Sequence, residues 1–242
     1  MRVGQRLASV AAALGLAVGL AGWAAPGAAQ SDDASLGEGF LAAPVDDDGQ
    51  VQEGRLSPDS IATITRLEAY LNQISTVRAR FVQISTNGNF AEGDLYLERP
   101  GRVRFEYDDP HPVLLVSDGN QFLYYDKELK NATFIPLEDS PLWFLIREKV
   151  SLTDAVEITR LIEENATITL TVTGEGTGDL GDVTLIFADR PLELKKWVVT
   201  DADGLSIQVA LIAPEFSVAI DEEIFEYDDL DVYGFRNRER AP

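Results

Sequence analysis

Two periods divide the chain. Behind Ser57, a capping residue, and Pro58, a first-turn proline, the apolar residues Ile61, Ile64, Leu67, Leu71 and Ile74 recur at helical spacing, which predicts one amphipathic helix ending near Gln73. From Thr76 the period changes to two. Residues 77–85, an Asn87-Gly88 turn and residues 90–98 read as a hairpin, and further alternating runs are predicted at 102–107, 113–116, 122–126, 132–137, 155–162, 166–173, 182–188, 193–200 and 206–212. About eleven short antiparallel strands joined by Gly, Asp and Asn turns must curl or close on themselves.

Residues 93–126 are the most informative stretch. Leu95 and Leu97 alternate with Asp94, Tyr96 and Glu98, and after the Arg99-Pro100 turn Val103, Phe105 and Tyr107 alternate with Arg102, Arg104 and Glu106. Large apolar side chains thus gather on one face of neighbouring strands. That face suits a container better than a catalytic site.

One segment departs from the pattern. Ser140 and Pro141 look like a helix start, but Leu142, Trp143, Phe144, Leu145 and Ile146 are apolar on every side, whereas a surface helix shows a single apolar stripe. A second short helix is expected at Ser151, with Asp154 completing a Ser-x-x-Asp cap. An all-apolar helix must be buried on two sides. It is either a plug that belongs to the core or a lid that exchanges its contacts for those of an apolar ligand.

The N-terminus fixes the compartment. Arg2 and Arg6 precede an apolar run over residues 7–21 and a small-residue stretch ending at Ala29, the arrangement of a cleaved secretory signal peptide over residues 1–29. Glycines at 15, 19 and 22 interrupt the run, which falls short of the roughly 20 apolar residues that span a bilayer. Residues 30–57, rich in Asp and Gly, are expected to be a disordered acidic lead-in, residues 58–233 one domain, and residues 234–242 a polar tail. The sequence has no cysteine, so disulfides, thiol chemistry and lipid attachment at a cysteine are all excluded. A formal charge of −21 argues against nucleic acid and anionic headgroups as partners.

Candidate catalytic groups are few. The single histidine, His111, lies between two prolines in a turn, and no G-x-S-x-G elbow accompanies it. Carboxylates at Asp108, Asp109, Glu222, Glu223, Asp228, Asp229 and Asp231 lack metal-ligand spacing, and the glycines at 174, 176, 178 and 181 open no helix. No cofactor, metal or enzymatic activity is expected.

The order of features resembles the outer-membrane lipoprotein carrier family, LolA. The residues that carry the likeness are the first helix, the F-x-Q of residues 81–83, the G-x-L-x-x-x-R-P of residues 93–100, Phe105, the L-x-S-D-G of residues 115–119, and Tyr124 with Tyr125. The all-apolar helix follows where that family has its lid. The resemblance implies a mainly β fold with α: an unclosed antiparallel β-barrel, a half-barrel, with short helices over its concave apolar face. It further implies a monomeric, non-enzymatic periplasmic carrier of lipoprotein acyl chains. Cargo would come from an inner-membrane ABC transporter and, in many species, pass to an outer-membrane receptor lipoprotein. On this reading Leu95, Leu97, Val103, Phe105, Tyr107, Leu142, Trp143, Phe144, Leu145 and Ile146 form cavity and lid. Arg99 maps onto the family's lid arginine, which bonds lid groups in the closed, empty form; the residues alone leave open a simple pairing with a turn carboxylate. The acidic lead-in and the acidic run at 221–231 depart from the family pattern. Two other readings are an envelope lipid or lipoprotein sensor on the same fold and a secreted lipid hydrolase.

Overall fold

The computed structural model describes residues 57–173 and 181–227. The expected signal peptide, nearly all of the expected acidic lead-in, the expected tail and the carboxylates Asp228, Asp229 and Asp231 lie outside the described residues. Helix α1 spans Pro58–Gln73. It begins where Ser60 N donates to Ser57 Oγ at 3.0 Å, with Pro58 in the first turn, as the capping pattern predicts. Its buried face is Thr63, Ile64, Leu67 and Leu71. Ile61, expected on that face, is exposed; Thr63 takes the inward position of the first turn, and its hydroxyl donates to Glu163 Oε1 at 2.7 Å.

Eleven strands follow. They are β1 (Thr76–Ser85), β2 (Phe90–Glu98), β3 (Arg102–Tyr107), β4 (Val113–Asp118), β5 (Gln121–Asp126), β6 (Asn131–Pro136), β7 (Glu157–Glu164), β8 (Thr167–Thr173), β9 (Asp182–Asp189), β10 (Leu192–Thr200) and β11 (Ser206–Phe216). They form one antiparallel sheet in the order β6-β5-β4-β3-β2-β1-β11-β10-β9-β8-β7, with β6 and β7 as free edges. Each half of the chain is a meander, and β1 against β11 joins the halves.

The sheet is curled. Strands β3 and β10 are separated by four inter-strand steps, about 19 Å in a flat sheet, yet the Phe105 and Trp197 ring centroids are 6.4 Å apart. Irregular register in β1 between Arg78 and Arg80, in β10 between Leu194 and Lys196, and in β7 between Ile158 and Arg160 supplies local twist. Gly93, paired with Phe81 on β1, is the other concession to curvature. A Cβ there would run into the Glu106 carbonyl and the Phe81 ring, so only glycine lets that ring lie against β2.

The concave face and α1 share the main core, in which Phe81, Leu170, Leu185 and Phe187 are fully buried. A smaller cluster of Leu114, Val116, Leu123 and Tyr125 lies on the convex face. Near it a 3₁₀ turn at Glu222–Phe225 packs, with Phe225 buried beneath the Arg102 guanidinium and Arg104 Nη1 donating to Ile224 O at 3.0 Å.

Between β6 and β7 the chain makes a 3₁₀ turn (Leu137–Asp139) and then the one-turn helix α2 (Trp143–Ile146). Helix α2 starts three residues after Ser140, whose Oγ accepts from Leu142 N at 3.2 Å. The second helix expected at Ser151 is a turn. Ser151 Oγ does donate to Asp154 Oδ2 at 2.9 Å, and the backbone N–H groups of Val150 and Leu152 are held by Asn72 and Glu68 of α1.

Candidate functional site

Helix α2 and the C-terminal end of α1 lie over the concave face and leave a cavity of about 70 Å³ between them and the strands. The wall from β2 and β3 is Leu95, Leu97, Arg99, Val103 and Phe105. Helix α2 and its lead-in contribute Ser140, Leu142, Leu145 and Ile146. Leu142, Leu145 and Ile146 stand at i, i+3 and i+4, so this one turn has a cavity stripe after all. Phe144 is buried in the surrounding core and Trp143 is half-buried against it; neither reaches the cavity wall.

Tyr107 is also outside the wall. It lies two residues beyond Phe105, against the edge of Phe81 at 5.1 Å between centroids, and its hydroxyl donates to Gln83 Oε1 at 2.8 Å. Burial pushes the Tyr107 hydroxyl well above the usual phenol range, so it is a neutral donor. The other half of the wall comes from residues that sequence reasoning did not assign: Leu71 of α1, Ile74 just past its end, Val77 of β1, Phe122 of β5, Leu194 and Trp197 of β10, and Leu211 and Phe216 of β11. The register could have found some of them. Val77 pairs with both Leu97 and Phe216, and alternation puts all three on the cavity side.

Arg99 is the one charged group in the wall. Its Nε donates to Leu145 O at 2.9 Å, and its Nη1 donates to Ile74 O at 2.8 Å and also to Leu71 O. No carboxylate pairs with it among the described residues; the nearby Glu98 is taken by Arg102 at 2.7 Å. Burial pulls the Arg99 guanidinium down to about 10, which still leaves it charged at neutral pH. Its charge is therefore compensated by carbonyl dipoles, those of α1's last turn among them, where a cation is favoured. Gly101 N adds a bond to Ile146 O at 2.8 Å, so the β2–β3 turn holds two successive carbonyls of α2.

His111 is in the β3–β4 turn, its Nε2 2.9 Å from Phe90 O, and it is not among the residues that line the cavity. Among the wall residues there is no nucleophile with an adjacent base. The arrangement can bind an apolar group and hold a helix over it.

The family model described as outer membrane lipoprotein carrier protein LolA matches residues 72–228. An outer-membrane lipoprotein carrier protein of Alkalilimnicola ehrlichii is 31% identical over 179 residues, 70% of this chain and 81% of that one. Its counterpart in Pseudomonas aeruginosa is 26% identical over 179 residues, 70% of this chain and 85% of that one. The similar stretch of the Nitrosomonas europaea carrier is shorter, 33% identical over 88 residues that span 34% of this chain and 43% of that one. Among solved structures, a LolA superfamily protein of Nitrosomonas europaea aligns with a TM-score of 0.42 at 10% identity, covering 68% of this chain and 98% of that one.

Proposed function

This chain belongs to the outer membrane lipoprotein carrier family LolA, and from that premise we propose that it is a periplasmic carrier that takes lipoprotein acyl chains into the cavity under α2 and delivers them to the outer membrane. An inner-membrane ABC transporter would load it, and an outer-membrane receptor lipoprotein would unload it where one exists. Cleavage after Ala29 would release it into the periplasm, and it would do no chemistry on its cargo.

The observation that carries the reading is the apolar wall covered by a helix whose Leu145 carbonyl is held by Arg99, the same arginine bonding Leu71 O and Ile74 O at the end of α1. At about 70 Å³ the cavity is far below the roughly 300–1,000 Å³ of ligand sites, as expected of a closed form. Cargo would enter by displacing α2. Acyl burial stabilises by about 0.8 kcal/mol per methylene, enough to trap cargo in a pocket that needed no work to open. Breaking the Arg99 bonds offsets part of that gain, and remaking them favours release.

The test is mass spectrometry of the protein purified gently from a periplasmic fraction. Co-purifying acylated lipoproteins are expected. A preparation free of them, from cells in which lipoprotein export is active, overturns the carrier reading.

A further inference from the structure

Trp197 is a wall residue of the cavity, 5% exposed, and its indole Nε1–H is fully buried with no hydrogen-bond partner. The other polar side chains of the wall are engaged: Arg99 donates to three carbonyls, and Ser140 Oγ accepts from Leu142 N. An unpaired buried donor is unfavourable and uncommon. Phenylalanine would fill a purely hydrocarbon site here without leaving a donor unpaired. We propose that the cavity recognises the carbonyl of an acyl group, with Trp197 Nε1–H as the donor that pairs with it, and so prefers ester- or amide-linked acyl chains to hydrocarbon of the same length.

The proposal rests on the carrier reading and deepens it. Trp197 sits on β10 opposite Val209 of β11, and its ring meets Phe105 of β3 edge-on at 6.4 Å between centroids. The Nε1 atom is itself covered in this closed form, so a carbonyl reaches it only as the entering chain displaces α2 and the wall rearranges, and the surrounding apolar side chains then keep competing water away. In that setting a single neutral hydrogen bond gives about a three- to tenfold preference. The acyl carbonyl could belong to a lipoprotein or to a free phospholipid.

The experiment is a titration of the full chain, ¹⁵N-labelled at tryptophan and ¹³C-labelled at the leucine methyls, with three probes. These are a short-chain diacyl phosphatidylcholine, its dialkyl ether analogue without carbonyls, and a diacylated cysteinyl lipopeptide. The chain has three tryptophans, and Trp197→Phe identifies the Trp197 indole resonance by its loss. The proposal expects a downfield shift of that indole proton with the ester but not the ether, and about three- to tenfold tighter binding of the ester. In Trp197→Phe the two phospholipids should bind alike. A shift with the lipopeptide alone identifies lipoprotein as the source, and a shift with both acyl probes means that any acyl lipid is read; either supports the carbonyl assignment. If methyl resonances of Leu95 and Leu211 respond to ester and ether alike while the indole does not distinguish them, the donor role is overturned and the carrier reading stands. If no probe perturbs any wall residue, both fall. The ester-ether comparison in the unmutated chain needs no variant to fold.

Discussion

Arg99 Nε donates to Leu145 O at 2.9 Å while the same guanidinium reaches Ile74 O and Leu71 O, so one side chain at the end of β2 ties α2 to the last turn of α1. Neither helix is bound to the other through this group unless Arg99 is present.

Arg99→Leu should shift the balance toward the open, loaded form. Three carbonyls lose a charged donor, which destabilises closure by about 1–3 kcal/mol, or about 5- to 150-fold in the opening equilibrium. Acyl probes should bind correspondingly more tightly, and handover to an acceptor should slow, with the variant accumulating in its loaded form. Unchanged affinity together with normal transfer would show that the arginine is only a structural cap.

Trp143 reports on α2 itself. It is half-buried beside the core and outside the cavity wall, so filling the cavity without moving the helix should leave its surroundings as they are. In a Trp197→Phe background its emission should shift when a lipoprotein is loaded. A spectrum that stays the same in the presence of bound cargo would make α2 a fixed plug.

The far end of α1 predicts an acid dependence. Hydrogen bonding to Arg66 of α1, at 2.7 Å, holds the Asp189 carboxyl below its usual range, with Arg190 adding to it. A carboxyl lowered in the folded state contributes stability above its unfolded pKa of about 3.9 and loses it as pH falls through the folded value. The urea midpoint should therefore fall on acidification below about pH 4. Asp189→Asn should flatten that dependence only in part, because Arg80 similarly lowers Asp108 on the convex side. Identical pH profiles for variant and parent would mean that Asp189 titrates normally.

Much of this was legible from local pattern. The Ser57 cap, the alternation of β1 to β3 and the Gly93-to-Pro100 motif depend on neighbours within a few residues, and the elements they specify are present. That the sheet must curl was legible from the number of strands, but which strands the curl brings face to face was not. Leu194 and Trp197 enter the wall only because β10 is brought round to face β3, and nothing local to β10 distinguishes a strand over a cavity from one over a filled core. The turn at Ser151 was not legible for a related reason: the cap residues are local, but the side chains of α1 that fix the segment lie some eighty residues earlier.

Those side chains set up the last prediction. Asn72 Nδ2 donates to Val150 O and Val150 N donates to Asn72 Oδ1, both at 2.9 Å, and one helical turn earlier Glu68 Oε2 accepts from Leu152 N at 2.9 Å. The i, i+4 spacing presents both groups on one face of α1, so the segment after α2 is pinned at two points while Arg147, Glu148 and Lys149 between α2 and the pins are exposed. If α2 opens, those three residues are where the chain can bend without unpicking the buried Val150 and Leu152. Asn72→Ala leaves the N–H and C=O of Val150 unpaired in a buried place, at a cost of about 1–3 kcal/mol. Hydrogen exchange at Val150 should then accelerate by about five- to 150-fold, while Glu68→Gln, which keeps an acceptor for Leu152, should change exchange there little. Probe binding should survive Asn72→Ala, because the Arg99 latch and the cavity wall are intact. Protection at Val150 that is unaffected by the substitution would mean that packing of Val150 and Leu152, and not the amide clasp, fixes the base of α2.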